Sequence, residues 1–187
     1  WLVPSTADLA GAEVELVSVE RREWQLHDAL NEVRSRYDFI LIDCPPSLGL
    51  LTLNALVAAD GVLVPMQCEY FALEGLSYLL STLDKVRGLW NPSLQLEGIL
   101  LTMVDSRTSL MQQVESEVRG HFGPKVYKTL VPRNIRLSEA PSHGLPILKY
   151  DPASRGSYAY SQLAKEFLER QSAPLSDAER PLSQGAP

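Results

Sequence analysis

The chain has 187 residues, 45% hydrophobic and 21% charged, a composition ordinary for a soluble globular protein and long enough for one domain with a real core. No apolar stretch approaches the ~20 residues of a membrane span, and Trp1 to Ala12 has neither the basic nor the apolar region of a secretory signal. Two cysteines, Cys44 and Cys68, make neither a disulfide framework nor a zinc site and are expected to be reduced core thiols of a cytoplasmic protein.

Leu2-Val3-Pro4 has the look of a strand end, and Ser5 with Asp8 three residues on is close to a capping box for a first helix. A second helix is predicted over roughly Glu23 to Ser35. Then comes "YDFILIDCPPS", Tyr37 to Ser47. A run with no polar alternation suits a strand buried on both faces, as in a parallel sheet covered by helices. Pro45 and Pro46 cannot donate ladder hydrogen bonds and must end it. Asp43 then sits at the carboxyl end of the strand, the edge where open α/β sheets bind ligands. An apolar strand ending in one acid is the Walker B pattern, in which the carboxylate serves a phosphate-bound Mg²⁺. An acid capping the next helix is the other reading of the same residues.

Leu48 to Ala58 follows as a short apolar helix, and Gly61 to Met66 as a second buried strand. Leu73 to Val86 is amphipathic, with Leu73, Leu76, Leu80 and Leu83 at helical spacing. Leu96 to Met103 is a third strand. Ser109 to Phe122 is a helix with Leu110, Val114, Val118 and Phe122 on one face, and Val126 to Val131 is a shorter strand. Arg155 to Arg170 is a last helix with Tyr160, Leu163, Ala164 and Phe167 facing in. Residues 171–187 are rich in Pro, Ser and Ala and are expected to be a disordered tail. Alternating strands and helices predict βαβ units and a parallel sheet.

The charge is uneven. Residues 101–150 hold 7 Lys+Arg against 4 Asp+Glu within a chain of net charge −6. Such a segment suits an anionic partner, although a solvated face is the commoner explanation of so small an excess. His27, His121 and His143 have no metal-ligand spacing.

Five blocks in order resemble the ParA/Soj family of chromosome- and plasmid-partition ATPases: Pro4 to Leu16, Tyr37 to Leu56, Val64 to Leu76, Gly98 to Thr108 and Val131 to Pro152. The resemblance covers about residues 2–170. It implies a three-layer, doubly wound, mostly parallel α/β sheet of the P-loop NTPase kind, Rossmann-like, with helices on both faces. It also implies ATP and Mg²⁺ as cofactors, an ATP-dependent homodimer, slow hydrolysis, non-specific DNA binding on the nucleoid and a ParB-type partner that stimulates hydrolysis.

By the same resemblance Asp43 is the magnesium acid, reaching the ion mostly through water. The "VPRN" loop lies near the base, with Pro132 and Asn134 as candidates and Thr102 and Met103 flanking. Arg107 and Arg136 are the DNA candidates, with Lys125, Lys128, Arg133 and Lys149 able to add to the patch. Glu69, Tyr70, Phe71 and Glu74 are candidates for the dimer face.

The family's phosphate loop, K-G-G-x-G-K-T, does not occur in this sequence. Residues 1–170 are therefore expected to be the C-terminal part of such an ATPase domain, with a sheet incomplete at the N-terminus and poor solubility in isolation. A non-hydrolysing module that binds DNA or a partner is the alternative. A MinD-like membrane-positioning ATPase would want a basic amphipathic C-terminal helix, which the tail does not offer.

Overall fold

Backbone N–H and C=O groups that leave water need partners, so an apolar run becomes a strand only beside another run that completes its ladder. The structure is a computed structural model and describes residues 1–45 and 47–172. Among these residues, helices α1 (Leu9–Glu15), α2 (Gln25–Asn31) and α3 (Leu50–Ala58) lead to strand β1 (Gly61–Gln67). Helix α4 (Ala72–Leu89) crosses over to strand β2 (Gln95–Thr102), the hydrogen-bonded neighbour of β1. The Gln95 N–H donates to Asp60 O near the start, and the Thr102 hydroxyl donates to Met66 O near the end. Both numbers rise together, so the pair is parallel and β1-α4-β2 is a βαβ unit. Helices α5 (Ser109–Phe122), α6 (Ile135–Glu139), α7 (Ile147–Tyr150) and α8 (Arg155–Ser172) follow.

The chain forms two compact units. The first takes Trp1–Val64 and Leu73–Gly98. Its core is Leu56 and Val57 of α3, Leu83 and Val86 of α4, and Leu94, with Trp24, Leu53, Val62, Leu80 and Trp90 packed around them. Fully burying one such leucine is worth about 1.5–3 kcal/mol. Two buried asparagines tie the backbone to this core. Asn91 Nδ2 donates to the carbonyls of Leu56, Val57 and Ala59 at 3.0, 3.2 and 2.8 Å and so satisfies the C-terminal end of α3. Asn54 donates to Arg22 O and accepts from Leu26 N–H, which fastens the segment around α2 to α3.

The second unit takes Pro65–Ala72 and the chain from residue 99 on. Its buried side chains include Ile99, Leu100, Leu101 and Val104 at β2, Met111, Val114 and Val118 of α5, and Val126, Tyr127 and Val131.

Several sequence expectations give way here. Phe39 to Ile42 form no strand and are exposed, with Leu41 85% so. Among the described residues no run lies beside them to complete a ladder. Leu2 to Pro4 are likewise exposed and without strand structure, and the first helix starts at Leu9 with no side-chain cap. Cys44 is exposed rather than a core thiol, as a consequence of the same missing ladder. On α5 the buried register is Met111, Val114 and Val118, leaving Leu110 outside.

On α8 the buried residues are Gly156, Ser157 and Ala159, while Tyr160 and Ala164 are exposed. Small residues win that face because α6 comes close: a Cβ built on Gly156 would lie 2.6 Å from Leu137 Cγ. Gln171 and Ser172 close α8. The rest of the expected tail, and Pro46, lie outside the described residues.

Candidate nucleotide and DNA sites

The end of β2 departs from a regular ladder, and three of the four candidate base-binding residues lie at the departure. Val126 bridges Ile99 and Pro132 bridges Val104, both parallel, with no continuous strand between them. The expected strand over Val126 to Val131 is thus broken. Tyr127 N–H donates to Ile99 O and Val131 N–H to Leu101 O, so the chain advances four residues while β2 advances two. Next, Val104 rather than Met103 donates to Val131 O, and Arg133 N–H donates to Val104 O. Met103 is the extra residue and takes a left-handed backbone, φ 53°. A bulky side chain is uncommon there, and such outliers and bulges concentrate beside functional sites.

Met103 is 40% exposed. Pro132 and Asn134 are half-buried. Asn134 caps α6, its Oδ1 accepting from Arg136 N–H at 2.8 Å. That leaves its two amide donors without a partner among the described residues, a fit for an acceptor on a ligand. Thr102 is half-buried, and its hydroxyl is spent on Met66 O. An exposed thioether and an open amide donor are each suited to contact with a flat, partly polar ring.

The two arginines of the predicted DNA patch are exposed and each is paired. Arg107 grips Asp105 through two guanidinium bonds of 2.8 and 2.6 Å. The Arg107 guanidinium and its backbone N–H hold the Asp105 carboxyl at about 2. Arg136 bonds Glu139 at 2.8 Å and lies 3.4 Å from Asp151. That bond to Arg136 lowers the Glu139 carboxyl, and Tyr150 donates a further bond to it. Exposed pairs of this kind are weak, so a phosphate can compete for either guanidinium.

Asp43 belongs to the first unit. It is exposed and makes no hydrogen bond or ion pair among the described residues. No three His, Cys, Asp or Glu side chains gather into a metal cage among those residues. A lone open carboxylate fits Mg²⁺ carried mainly by phosphate and water oxygens, and does not fit an ion held by protein ligands alone. Glu69, Tyr70 and Phe71 are exposed, with the two rings edge to face at 5.0 Å, and so is Glu74 on α4.

Glu166 and Arg170 of α8 were not singled out from the sequence. The Glu166 carboxylate accepts from Lys128 N–H and Thr129 N–H at 2.8 Å each and from Arg170 at 2.8 Å. Burial pushes its carboxyl up, but those backbone bonds and the guanidinium outweigh it and hold it at about 2. The one signal for the pair was its i, i+4 spacing.

Residues 1–96 match the family model described as "AAA domain". The chain is 58% identical over 169 residues to the chromosome partitioning protein ParA of Myxococcus xanthus, covering 90% of this chain and 60% of that one. It is 59% identical over 165 residues to the sporulation initiation inhibitor protein Soj of Bacillus subtilis, covering 88% and 65%. The chain thus spans less than two thirds of the length of these curated relatives. Among solved structures, the cobyrinic acid a,c-diamide synthase of Mycobacterium smegmatis superposes with a TM-score of 0.76 at 37% identity, covering 92% of this chain and 63% of that one. That enzyme has also been solved with ADP and magnesium and with an ATP analogue and magnesium.

Proposed function

The chain belongs to the ParA/Soj family of partitioning ATPases, and from that premise we propose that it forms the base-side and DNA-facing part of an ATP-driven DNA-segregation switch. It works as the C-terminal part of an ATPase domain whose phosphate-binding loop lies outside these residues. The observation that carries the proposal is the double irregularity beside β2. It sets a left-handed Met103 and the Val131–Asn134 loop side by side with an amide donor to spare. Pro132 and Asn134 border the base, with Thr102 and Met103 beside them. Asp43 would hold the magnesium ion through water. When bound, Mg·ATP supplies the phosphate charge that joins two copies into a dimer and the hydrolysis that ends it. Glu69, Tyr70, Phe71 and Glu74 face the second copy, and a ParB-type partner speeds hydrolysis.

Arg107 and Arg136 contact DNA phosphates without reading bases, because a guanidinium fork stays charged and matches a phosphate geometrically. The protein acts in the cytoplasm, on the nucleoid. The test is retention of duplex DNA by the complete protein with and without Mg·ATP. Retention should require Mg·ATP and fall with rising salt. Combining Arg107→Ala and Arg136→Ala should lower the slope of log affinity against log salt by about 2, while ATP binding is kept. Equal retention by wild type and the double variant would refute the assignment of the arginines.

A further inference from the structure

The two irregularities beside β2 are held differently. The Met103 bulge is closed by backbone bonds alone. The larger excursion at residues 128–130 is not. Its Lys128 and Thr129 N–H groups both go to the Glu166 carboxylate. Arg170 holds that carboxylate, donates to Val126 O at 3.0 Å, and lies 3.8 Å over the ring of the buried Tyr127. So Arg170 fixes the entrance of the excursion and Glu166 its interior. The same helix meets the far side of the loop, where Gly156 presses on Leu137 of α6, the helix that Asn134 caps.

Register is what this clamp controls. A one-residue slip turns every side chain to the other face, but a two-residue slip keeps each on its own face. The apolar pattern therefore does not forbid Thr129 N–H from taking the Leu101 carbonyl that Val131 N–H holds. Such a slip would straighten the ladder and move Pro132 and Asn134 along β2 by about 6–7 Å. It would also strip Glu166 of both backbone donors and leave a carboxylate, only 14% exposed, short of partners. That cost opposes the slip.

We propose that Glu166 and Arg170 are positioning residues that fix the two-residue excursion, and with it the register that sets Val131–Asn134 beside Met103 for a nucleotide base. The part concerning the base rests on the function proposed above.

The test uses Glu166→Gln and the milder Arg170→Lys in the complete protein, with two readouts. The first is residue-resolved amide exchange. Exchange at Val131 and Arg133 should quicken by at least about tenfold, along with Lys128 and Thr129, since losing a charged partner is worth that much. If only Lys128 and Thr129 quicken, the clamp does not set register and the proposal fails. If Glu166→Gln loses protection everywhere, Arg170→Lys decides between the same two results.

The second readout is the ratio of ATP to GTP affinity. It should narrow by about tenfold while affinity for inorganic tripolyphosphate stays unchanged. An unchanged ratio in a variant with loosened Val131 would overturn the role in base positioning. A wild type that does not tell ATP from GTP would sink the base-side function, while the exchange result still decides the register.

Discussion

Phe39–Ile42 and Ile99–Leu101 are both unbroken apolar runs leading toward an acid, and the sequence treats them alike. In the structure they part completely. Leu101 is 0% exposed and Leu41 is 85% exposed. Composition does not separate them. What separates them is a neighbour: β2 has β1 on one side and the Val126–Pro132 segment on the other, whereas the earlier run has no described strand beside it. Apolar character proposes a strand, and a second backbone at hydrogen-bonding distance decides whether one forms.

The largest effect that can break this contrast is a cavity. Leu101→Ala should cost about 2–5 kcal/mol in urea unfolding, the usual loss for a buried leucine. Leu41→Ala in the same chain should stay within about 0.5 kcal/mol, as exposed sites do. A matching loss at Leu41 would mean that the run is buried in solution.

The next effect sharpens the β2 side. Glu166→Gln should cost about 1.5–3 kcal/mol near neutral pH, because hydrogen bonds to a charged group are lost. The folded chain holds the Glu166 carboxyl at about 2, below its ordinary 4.5. A depressed pKa adds stability that is fully present above the ordinary value and is lost as pH falls toward the folded one. Wild type should therefore lose stability relative to the variant between about pH 4.5 and 2. Parallel stability curves for the two proteins would remove Glu166 from the clamp.

How much of this was legible in the sequence follows from the same contrast. The βαβ unit was readable because an apolar run, a stretch with leucines at helical spacing and a second apolar run follow one another within 42 residues, Gly61 to Thr102, and both of its strands are present. The break at 128–130 was not, because nothing in "VYKTLV" announces that a carboxylate from 38 residues downstream will take its N–H groups. The inward face of α8 was misjudged for a related reason. Tyr160 and Ala164 were expected inside and are exposed, Leu163 and Phe167 are half-buried, and where α6 comes close the buried residues are the small Gly156, Ser157 and Ala159. Thr102, Met103, Pro132 and Asn134 were named from resemblance. The left-handed backbone at Met103 had no sequence sign, since glycine or asparagine is the residue that announces one.

Smaller effects follow. Met103→Gly should stabilise the chain by up to about 1 kcal/mol, because glycine takes φ 53° without strain. It should weaken base binding at the same time. Loss of stability would mean that the methionine side chain contributes more packing than its backbone costs. Asp105→Asn should be the mildest change. Freeing Arg107 from an exposed pair should raise DNA affinity about two- to fivefold at low salt, with no change at Arg136. A drop in affinity would give Asp105 a positive role in holding Arg107 toward DNA.

In the proposed function a nucleotide base meets the end of β2 and the loop beyond Val131. The most direct measurement is photolabelling of the complete protein with 2-azido-ATP and Mg²⁺, followed by peptide mapping. Label that excess ATP suppresses is expected on Thr102–Met103 and Pro132–Asn134. Suppressible label confined to other segments, with none at these residues, would contradict it.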